Sequence, residues 1–253
     1  MKPLPTVGLA HCVIEGEPDC DNPMRILITS AASGLAQSLA RSLSVKHHNV
    51  VLTDRKQLST DQPFVHSELG HDDTTNELVR GVDAIVHSGE ADPEASVSDQ
   101  LDVAMRCTYN LLWAAAEERV SRFVYLSSLS LLEKYDEDMV VTEMWRPQPT
   151  TEPSVLCYHL GEFVCKEFGR EGKIDVVCLR LGELVWDGED KGRVSSSALY
   201  AHDLVHAVEQ AVTTEVSSWD IFHVQSAVPN ARYLTDAARQ KLDFEPRQRR
   251  EMS

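Results

Sequence analysis

Seven short apolar runs, separated by longer segments with helical spacing, constrain the fold of this chain more than any other feature. The runs are rich in Val, Ile and Leu and mostly lack polar alternation, so they predict strands that are covered on both faces. They span residues 25–29, 49–54, 64–68, 84–88, 122–128, 175–182 and 221–226. Strands that alternate with helices build βαβ units. The sequence therefore predicts an α/β fold with a doubly wound parallel sheet.

The order of these runs also predicts how the chain is divided. Residues 1–23 contain prolines and acidic residues without a sustained apolar pattern, which is typical of a flexible extension. Residues 24–182 hold six of the seven predicted strands and form the predicted core. We expect residues 183–253 to form a small C-terminal cap that is integral to the same domain.

Charge and cysteine usage exclude several classes of protein. A formal net charge of −16 disfavours nucleic acid and anionic membranes as partners, because phosphate binding needs a basic surface. No apolar run approaches the roughly 20 residues that cross a bilayer, and the N-terminus lacks the pattern of a signal peptide. None of the six cysteines forms a CxxC pair, so we expect no metal site. These features predict a cytoplasmic protein.

The segment that joins the first strand to the first helix is the strongest indication of a ligand. It reads TSAASGLA over residues 29–36, a turn of small residues directly after an apolar run. In Rossmann-like folds such a turn holds a pyrophosphate at the N-terminus of the helix. This pattern predicts cofactor binding by Ser30, Ser33, Gly34 and Leu35. Ser30 stands where a glycine is usual, so we expect a backbone conformation there that costs a non-glycine residue free energy.

An acidic residue at the end of the second strand predicts which dinucleotide is bound. Asp54 follows Gly34 by 20 residues, a spacing that suits a carboxylate accepting hydrogen bonds from an adenosine ribose. Its charge would repel a 2′-phosphate, which favours NAD over NADP. Arg55 and Lys56 leave an alternative open, because either cation could accommodate that phosphate. Asp54 could also simply end a strand.

Several further segments resemble the short-chain dehydrogenase/reductase superfamily, in particular its extended branch of NAD-dependent epimerases and dehydratases and the related uronate dehydrogenases. The segments are GVDAIVHSGE at residues 81–90, DVAMRCTYNLLWAAAEERVSRFVYLSS at 102–128 and VVCLRLGELVW at 176–186. The resemblance implies a Rossmann-like fold, a sugar-like substrate, and a homodimer packed through helices near residues 100–118 and 154–170.

The resemblance also implies roles for particular residues. His87, Ser88 and Gly89 would lie beside the ribose and pyrophosphate of the cofactor, and Asp72 or Asp73 near the adenine. Ser128 takes the position of the catalytic serine.

The chain departs from the family at the catalytic tyrosine and lysine, which are normally four residues apart on one helix. Read with Tyr158 as the tyrosine, the lysine position is Glu162, whose charge would raise the pKa of the phenol. Aligned without a gap from downstream, Ser154 takes the tyrosine position and Tyr158 the lysine position. Neither alignment retains a lysine.

Two functional hypotheses follow from this mixture of likeness and departure. The first is an NAD(P)-binding oxidoreductase or epimerase that acts on a sugar, a uronate or a nucleotide sugar. Ser128 would then orient the substrate, and a nonstandard group, with Tyr158 as one candidate, would serve as acid/base. The second is a catalytically inactive protein that keeps the nucleotide-binding fold for a binding or regulatory role.

Overall fold

The computed structural model describes residues 23–92, 94–186 and 195–246 and shows a central seven-stranded sheet. The strands of the sheet are β1 (Arg25–Ile28), β2 (Asn49–Asp54), β3 (Phe64–His66), β4 (Ala84–His87), β5 (Arg122–Ser128), β6 (Asp175–Leu181) and β9 (Trp219–Val224). Their order is β3-β2-β1-β4-β5-β6-β9, and every neighbouring pair is parallel. All seven predicted strands are confirmed, with ends that shift by up to two residues.

Helices cover both faces of this sheet, as the apolar runs require. They are α1 (Gly34–Val45), α2 (Asp73–Val79), α3 (Val97–Asp102), α4 (Thr108–Glu117), α5 (Pro153–Arg170), α6 (Ala201–Thr213) and α7 (Asp236–Leu242). A π-helical turn, Val103–Cys107, joins α3 to α4. One apolar core lies between the sheet and α1, α6 and α7, and a second between the sheet and α2, α4 and α5. The doubly wound prediction is therefore confirmed.

The C-terminal segment contributes to the main sheet as well as to a smaller structure. Strand β9 pairs with β6 and closes one edge of the seven-stranded sheet. Two short strands, β7 (Glu183–Val185) and β8 (Ala198–Tyr200), pair in parallel as a separate sheet. The predicted N-terminal extension lies outside the described residues, apart from Pro23. Within the described ranges, no helix has both the length and the apolar composition that a membrane span needs.

Helix α5 packs unusually close to the sheet, and this closeness positions its first turns beside the ends of the strands. A Cβ atom at Gly161 would lie 1.9 Å from the hydroxyl oxygen of Tyr125, which is fully buried in β5. Only a glycine allows this approach. The helix thereby carries Ser154, Cys157 and Tyr158 to the edge of the sheet where a doubly wound fold binds its ligand.

Candidate functional site

A groove of about 1040 Å³ opens at the carboxyl ends of β1, β2 and β4 and extends to the first turns of α5. This is the place where the strand order reverses direction, with β1 between β2 and β4. Crevices at such a point bind ligands in doubly wound folds. Its volume is at the upper end of the range for small-molecule sites, about 300–1,000 Å³, which suits an extended ligand.

The turn after β1 has the conformation that its sequence predicts. Ser30 has φ of 53°, the left-handed conformation that glycine normally supplies. The side chain of Ser33 caps α1 by accepting a hydrogen bond from the amide of Ala36. The amides of Gly34 and Leu35 are at the start of the helix, where no intrahelical acceptor is available. The helix therefore presents unpaired donors beside the groove.

Ser30 and Ser33 line the groove, whereas Gly34 and Leu35 are not among its lining residues. The side chain of Leu35 packs in the core that α1 shares with the sheet. Gly34 is exposed, and a Cβ atom there would approach only Trp186, at 3.9 Å, among the described residues. Any contribution of these two residues to ligand binding is consequently made by their backbone amides.

Asp54 is fixed at the end of β2 by two backbone amides. Its Oδ2 accepts a hydrogen bond from Ala32 at 2.8 Å and its Oδ1 accepts one from Lys56 at 2.8 Å. Each carboxylate oxygen retains a further lone pair for a ligand hydroxyl. The nearby cations are already paired, because Arg55 donates to Glu68 at 3.0 Å and the ammonium of Lys56 lies 3.7 Å from Asp92. This arrangement suits a ribose diol better than a ribose phosphate.

His87 forms part of the floor of the groove and is held neutral. Its Nδ1 lies 2.7 Å from the hydroxyl of Thr29 and its Nε2 lies 2.8 Å from the hydroxyl of Thr108. Burial lowers the pKa of His87 to about 3. Because this imidazole is uncharged at neutral pH and hydrogen-bonded at both nitrogens, its role in the groove is structural. It accepts no proton from a ligand.

The segment after β4 turns sharply across the groove. Gly89 has φ of 62°, and its left-handed conformation directs the chain away from the strand. The amide of Glu90 then donates to the hydroxyl of Ser88 at 3.4 Å, and the carbonyl of Glu90 accepts from the hydroxyl of Ser30 at 3.0 Å. Ser88 and Gly89 line the groove as the resemblance implies. The segment is thus tied to the turn after β1.

The side chain of Glu90 points toward α5, where it meets Tyr158. The phenol of Tyr158 donates to Oε1 of Glu90 at 2.6 Å, although the two residues are 68 positions apart in sequence. Burial raises the pKa of Tyr158, and the charge of Glu90 raises it further. Tyr158 is therefore a neutral donor at physiological pH. This carboxylate–phenol pair joins the segment after β4 to the first turns of α5 at the wall of the groove.

The two alignments of α5 differ in which residues they expect to face the groove. Ser154 and Tyr158 line the groove, whereas Glu162 is buried behind it. Glu162 accepts hydrogen bonds from Ser127 at 2.6 Å and from two nitrogens of Arg180, each at 2.8 Å. The residue that contacts the phenol of Tyr158 and raises its pKa is therefore Glu90 and not Glu162. The pair that faces the groove, Ser154 and Tyr158, matches the downstream alignment.

Three of the residues predicted from the sequence lie away from the groove. Asp72 caps α2 by accepting from the amides of Thr74 and Thr75, and Asp73 begins that helix. Both border a separate small cavity of about 140 Å³. Ser128 caps the turn after β5 by accepting from the amide of Ser130, and it is not among the residues that line the groove.

Other residues that line the groove were not predicted from the sequence. Glu68 and Leu69 follow β3 and line the groove beside Arg55. Their position directly after a parallel strand could have identified them, because the carboxyl ends of such strands meet at one edge. The partnership of Glu90 with Tyr158 had no comparable indication in the sequence.

The residues of the groove fit an extended dinucleotide. A fixed carboxylate lies at the β2 end, and the first amides of α1 lie beside the turn, where Gly34 places no side chain between a phosphate and the backbone. The carboxylate of Glu90 accepts a hydrogen bond from Tyr158 on α5. The sheet and this groove define a Rossmann-like nucleotide-binding fold.

The chain belongs to the NAD dependent epimerase/dehydratase family, whose sequence profile matches residues 26–225. It is 25% identical over 239 residues to a uronate dehydrogenase from Pseudomonas syringae pv. tomato, which covers 88% of this chain and 86% of the relative. This relationship agrees with the resemblance seen in the sequence, and it extends over nearly the whole of both proteins.

Solved structures show the same fold. The uronate dehydrogenase from Agrobacterium tumefaciens superposes with a TM-score of 0.79 at 21% identity, covering 89% of this chain and 85% of that one. A short-chain dehydrogenase/reductase superfamily protein with bound NAD, also from Agrobacterium tumefaciens, gives a TM-score of 0.76 at 19% identity, with 88% and 93% covered. The comparisons do not support the hypothesis of a catalytically inactive protein.

Proposed function

We propose that this protein is an NAD-dependent oxidoreductase that acts on a hydroxyl group of a sugar or a sugar derivative. Membership of the family and the likeness to uronate dehydrogenases support the reaction class. The contacts of Asp54 support NAD over NADP, because this carboxylate is fixed and the neighbouring cations are already paired. Bound NAD would supply the acceptor for a hydride.

The observation that carries the chemical proposal is the hydrogen bond from Tyr158 to Glu90 at 2.6 Å. Oxidation of an alcohol removes a hydride from carbon and a proton from the hydroxyl oxygen, and that proton needs an acceptor. Tyr158 does not act as the base, because its pKa lies above the ordinary value. The carboxylate of Glu90 accepts the proton instead, and the neutral phenol orients it. Ser154, four residues before Tyr158, faces the same part of the groove.

A substrate assay tests this function. Purified protein is mixed with NAD⁺ or NADP⁺ and a panel of uronates, neutral aldoses and nucleotide sugars, and the appearance of the reduced cofactor is followed. We expect turnover with NAD⁺ and one class of sugar. Glu90→Gln should lower kcat by about 100-fold, because general base catalysis contributes about 10²–10⁴. Full activity of Glu90→Gln would refute the assigned base, and bound NAD⁺ without turnover of any sugar would refute the oxidoreductase.

We also propose that the protein is a homodimer that packs through the region of α4 and α5. Large apolar side chains are exposed there, with Met105 43%, Tyr109 42% and Phe163 61% accessible. Tyr109 contacts the buried Phe168 of α5 at 5.4 Å between ring centroids, so α4 and α5 pack against each other beside these exposed side chains. Burial of such a surface in a second copy would remove apolar area from water.

The mass in solution tests this assembly. Light scattering should give twice the 28.3 kDa of one chain. Phe163→Asp should yield monomers, since a carboxylate would be buried without a partner. Met144→Asp is the matched control, because Met144 is 95% exposed and lies outside α4 and α5. A monomeric wild type, or a Phe163→Asp variant that remains dimeric, would contradict the proposed interface.

A further inference from the structure

The charges along the groove are distributed unevenly, and this distribution bears on the redox state of the cofactor. Among the described residues that line the groove, the Lys and Arg side chains are Arg55 and Lys56, both beside the end of β2. Each lies next to an acid, Glu68 or Asp92. Within the same described lining, the carboxylates are Asp54, Glu68, Glu90, Asp92 and Asp99, and of these Glu90 is the one that is hydrogen-bonded to α5, through Tyr158.

The fold determines which half of a dinucleotide approaches Glu90. Asp54 suits the adenosine ribose, and the phosphates belong at the turn between β1 and α1. The remaining half of the cofactor, which carries the nicotinamide, is therefore directed toward β4 and α5. That ring bears a positive charge in NAD⁺ and none in NADH. A carboxylate nearby thus interacts differently with the two redox states.

We infer that Glu90, held by Tyr158, makes this groove selective for the oxidised cofactor NAD⁺ over NADH. This inference rests on the proposed function and deepens it by naming the type of reaction. A protein that binds NADH less tightly than NAD⁺ readily releases the reduced cofactor after each turnover. An epimerisation regenerates NAD⁺ within one cycle and must retain NADH until it does so. The selectivity therefore indicates a dehydrogenase that exchanges its cofactor.

The position of Tyr158 reinforces this effect. As a neutral donor it fixes one oxygen of Glu90 at 2.6 Å and leaves the negative charge of the carboxylate in place. An ammonium group on α5 would have the opposite influence, because it repels a positive ring and favours the neutral one. The replacement of an expected lysine by a tyrosine and the presence of Glu90 thus act in the same direction.

Binding measurements with two variants test the inference without any need for turnover. Dissociation constants of NAD⁺ and NADH are measured by calorimetry for the wild type, Glu90→Gln and Asp92→Asn. Glu90→Gln should raise the dissociation constant of NAD⁺ by about fivefold to tenfold and that of NADH by less than about twofold. This size is expected for a Coulomb interaction that is partly screened by solvent. A tenfold change in this ratio corresponds to about 30 mV in the midpoint potential of the bound cofactor.

Asp92→Asn is the matched control for total charge. Asp92 lies two residues beyond Glu90 but beside Lys56, so the same loss of one negative charge should leave the NAD⁺/NADH ratio unchanged. The effect of Glu90→Gln should also shrink at high salt. If Glu90→Gln weakened the binding of NAD⁺ and NADH equally, or changed neither dissociation constant, the selectivity would be overturned while the proposed function stayed intact. No binding of either cofactor by the wild type would overturn both.

Discussion

Glu162→Ala is expected to lower the free energy of unfolding by about 3–5 kcal/mol, because it leaves the guanidinium of Arg180 buried without its counter-charge. The side chains of Glu162 and Arg180 are 8% and 4% exposed, and their two hydrogen bonds are each 2.8 Å long. Ser127 would lose its acceptor as well. Urea unfolding of the variant and the wild type measures the difference.

Two controls separate the buried charge from a general loss of contacts. Glu118→Ala breaks an ion pair with Arg80, whose side chain is 62% exposed, and should cost less than about 1 kcal/mol. The double variant Glu162→Leu with Arg180→Met removes both charges and should recover most of the lost stability. A single Glu162→Ala variant as stable as the wild type would contradict this account of the core beneath α5.

Acidification from about pH 7.5 to about pH 5 is expected to lower the free energy of unfolding by about 4 kcal/mol through two buried histidines. Burial lowers the pKa of His87 to about 3, and burial together with Arg180 lowers the pKa of His223 to about 3. Unfolded histidine titrates near 6.5, so the unfolded chain binds more protons between these values. Stability is therefore lost as the pH falls below about 6.5, by about 2 kcal/mol per histidine at pH 5.

Variation at His223 tests the sign and the size of this effect. His223→Leu should remove about half of the pH dependence, because leucine fills a buried site without a charge to acquire. The carboxylates whose pKa values are lowered, Asp72 and Asp102, lose their contribution only at more acid pH. Urea midpoints at the two pH values measure the change. Equal stability of the wild type at both would show that neither histidine is held neutral by the fold.

The sequence was sufficient for the elements whose cause is local. Apolar runs without alternation predicted the seven strands, because strands of a parallel sheet are covered on both faces. The small residues after β1 predicted the turn, including the left-handed conformation of Ser30. Asp54 was likewise identifiable, since its position depends only on the end of β2.

The site itself depends on contacts between distant segments, which no local pattern encodes. Tyr158 meets Glu90 only because α5 packs tightly over β5, at Gly161, and because Gly89 turns the chain after β4. Glu162 is drawn inward by Arg180, which lies on β6, the next element along the chain. For Asp72 and Asp73 the competing cause was the start of α2, which Asp72 caps and which lies outside the groove.

Binding of NAD in the groove is tested most directly by a titration. NADH and NADPH are titrated separately into the protein, and energy transfer from its four tryptophans reports binding. Asp54→Ala serves as the variant, because we propose that this carboxylate accepts hydrogen bonds from the adenosine ribose. We predict that NADH binds saturably in the micromolar range and that NADPH binds at least about tenfold more weakly. In Asp54→Ala the affinity for NADH should fall by about tenfold. No binding of NADH at millimolar concentration would contradict the account.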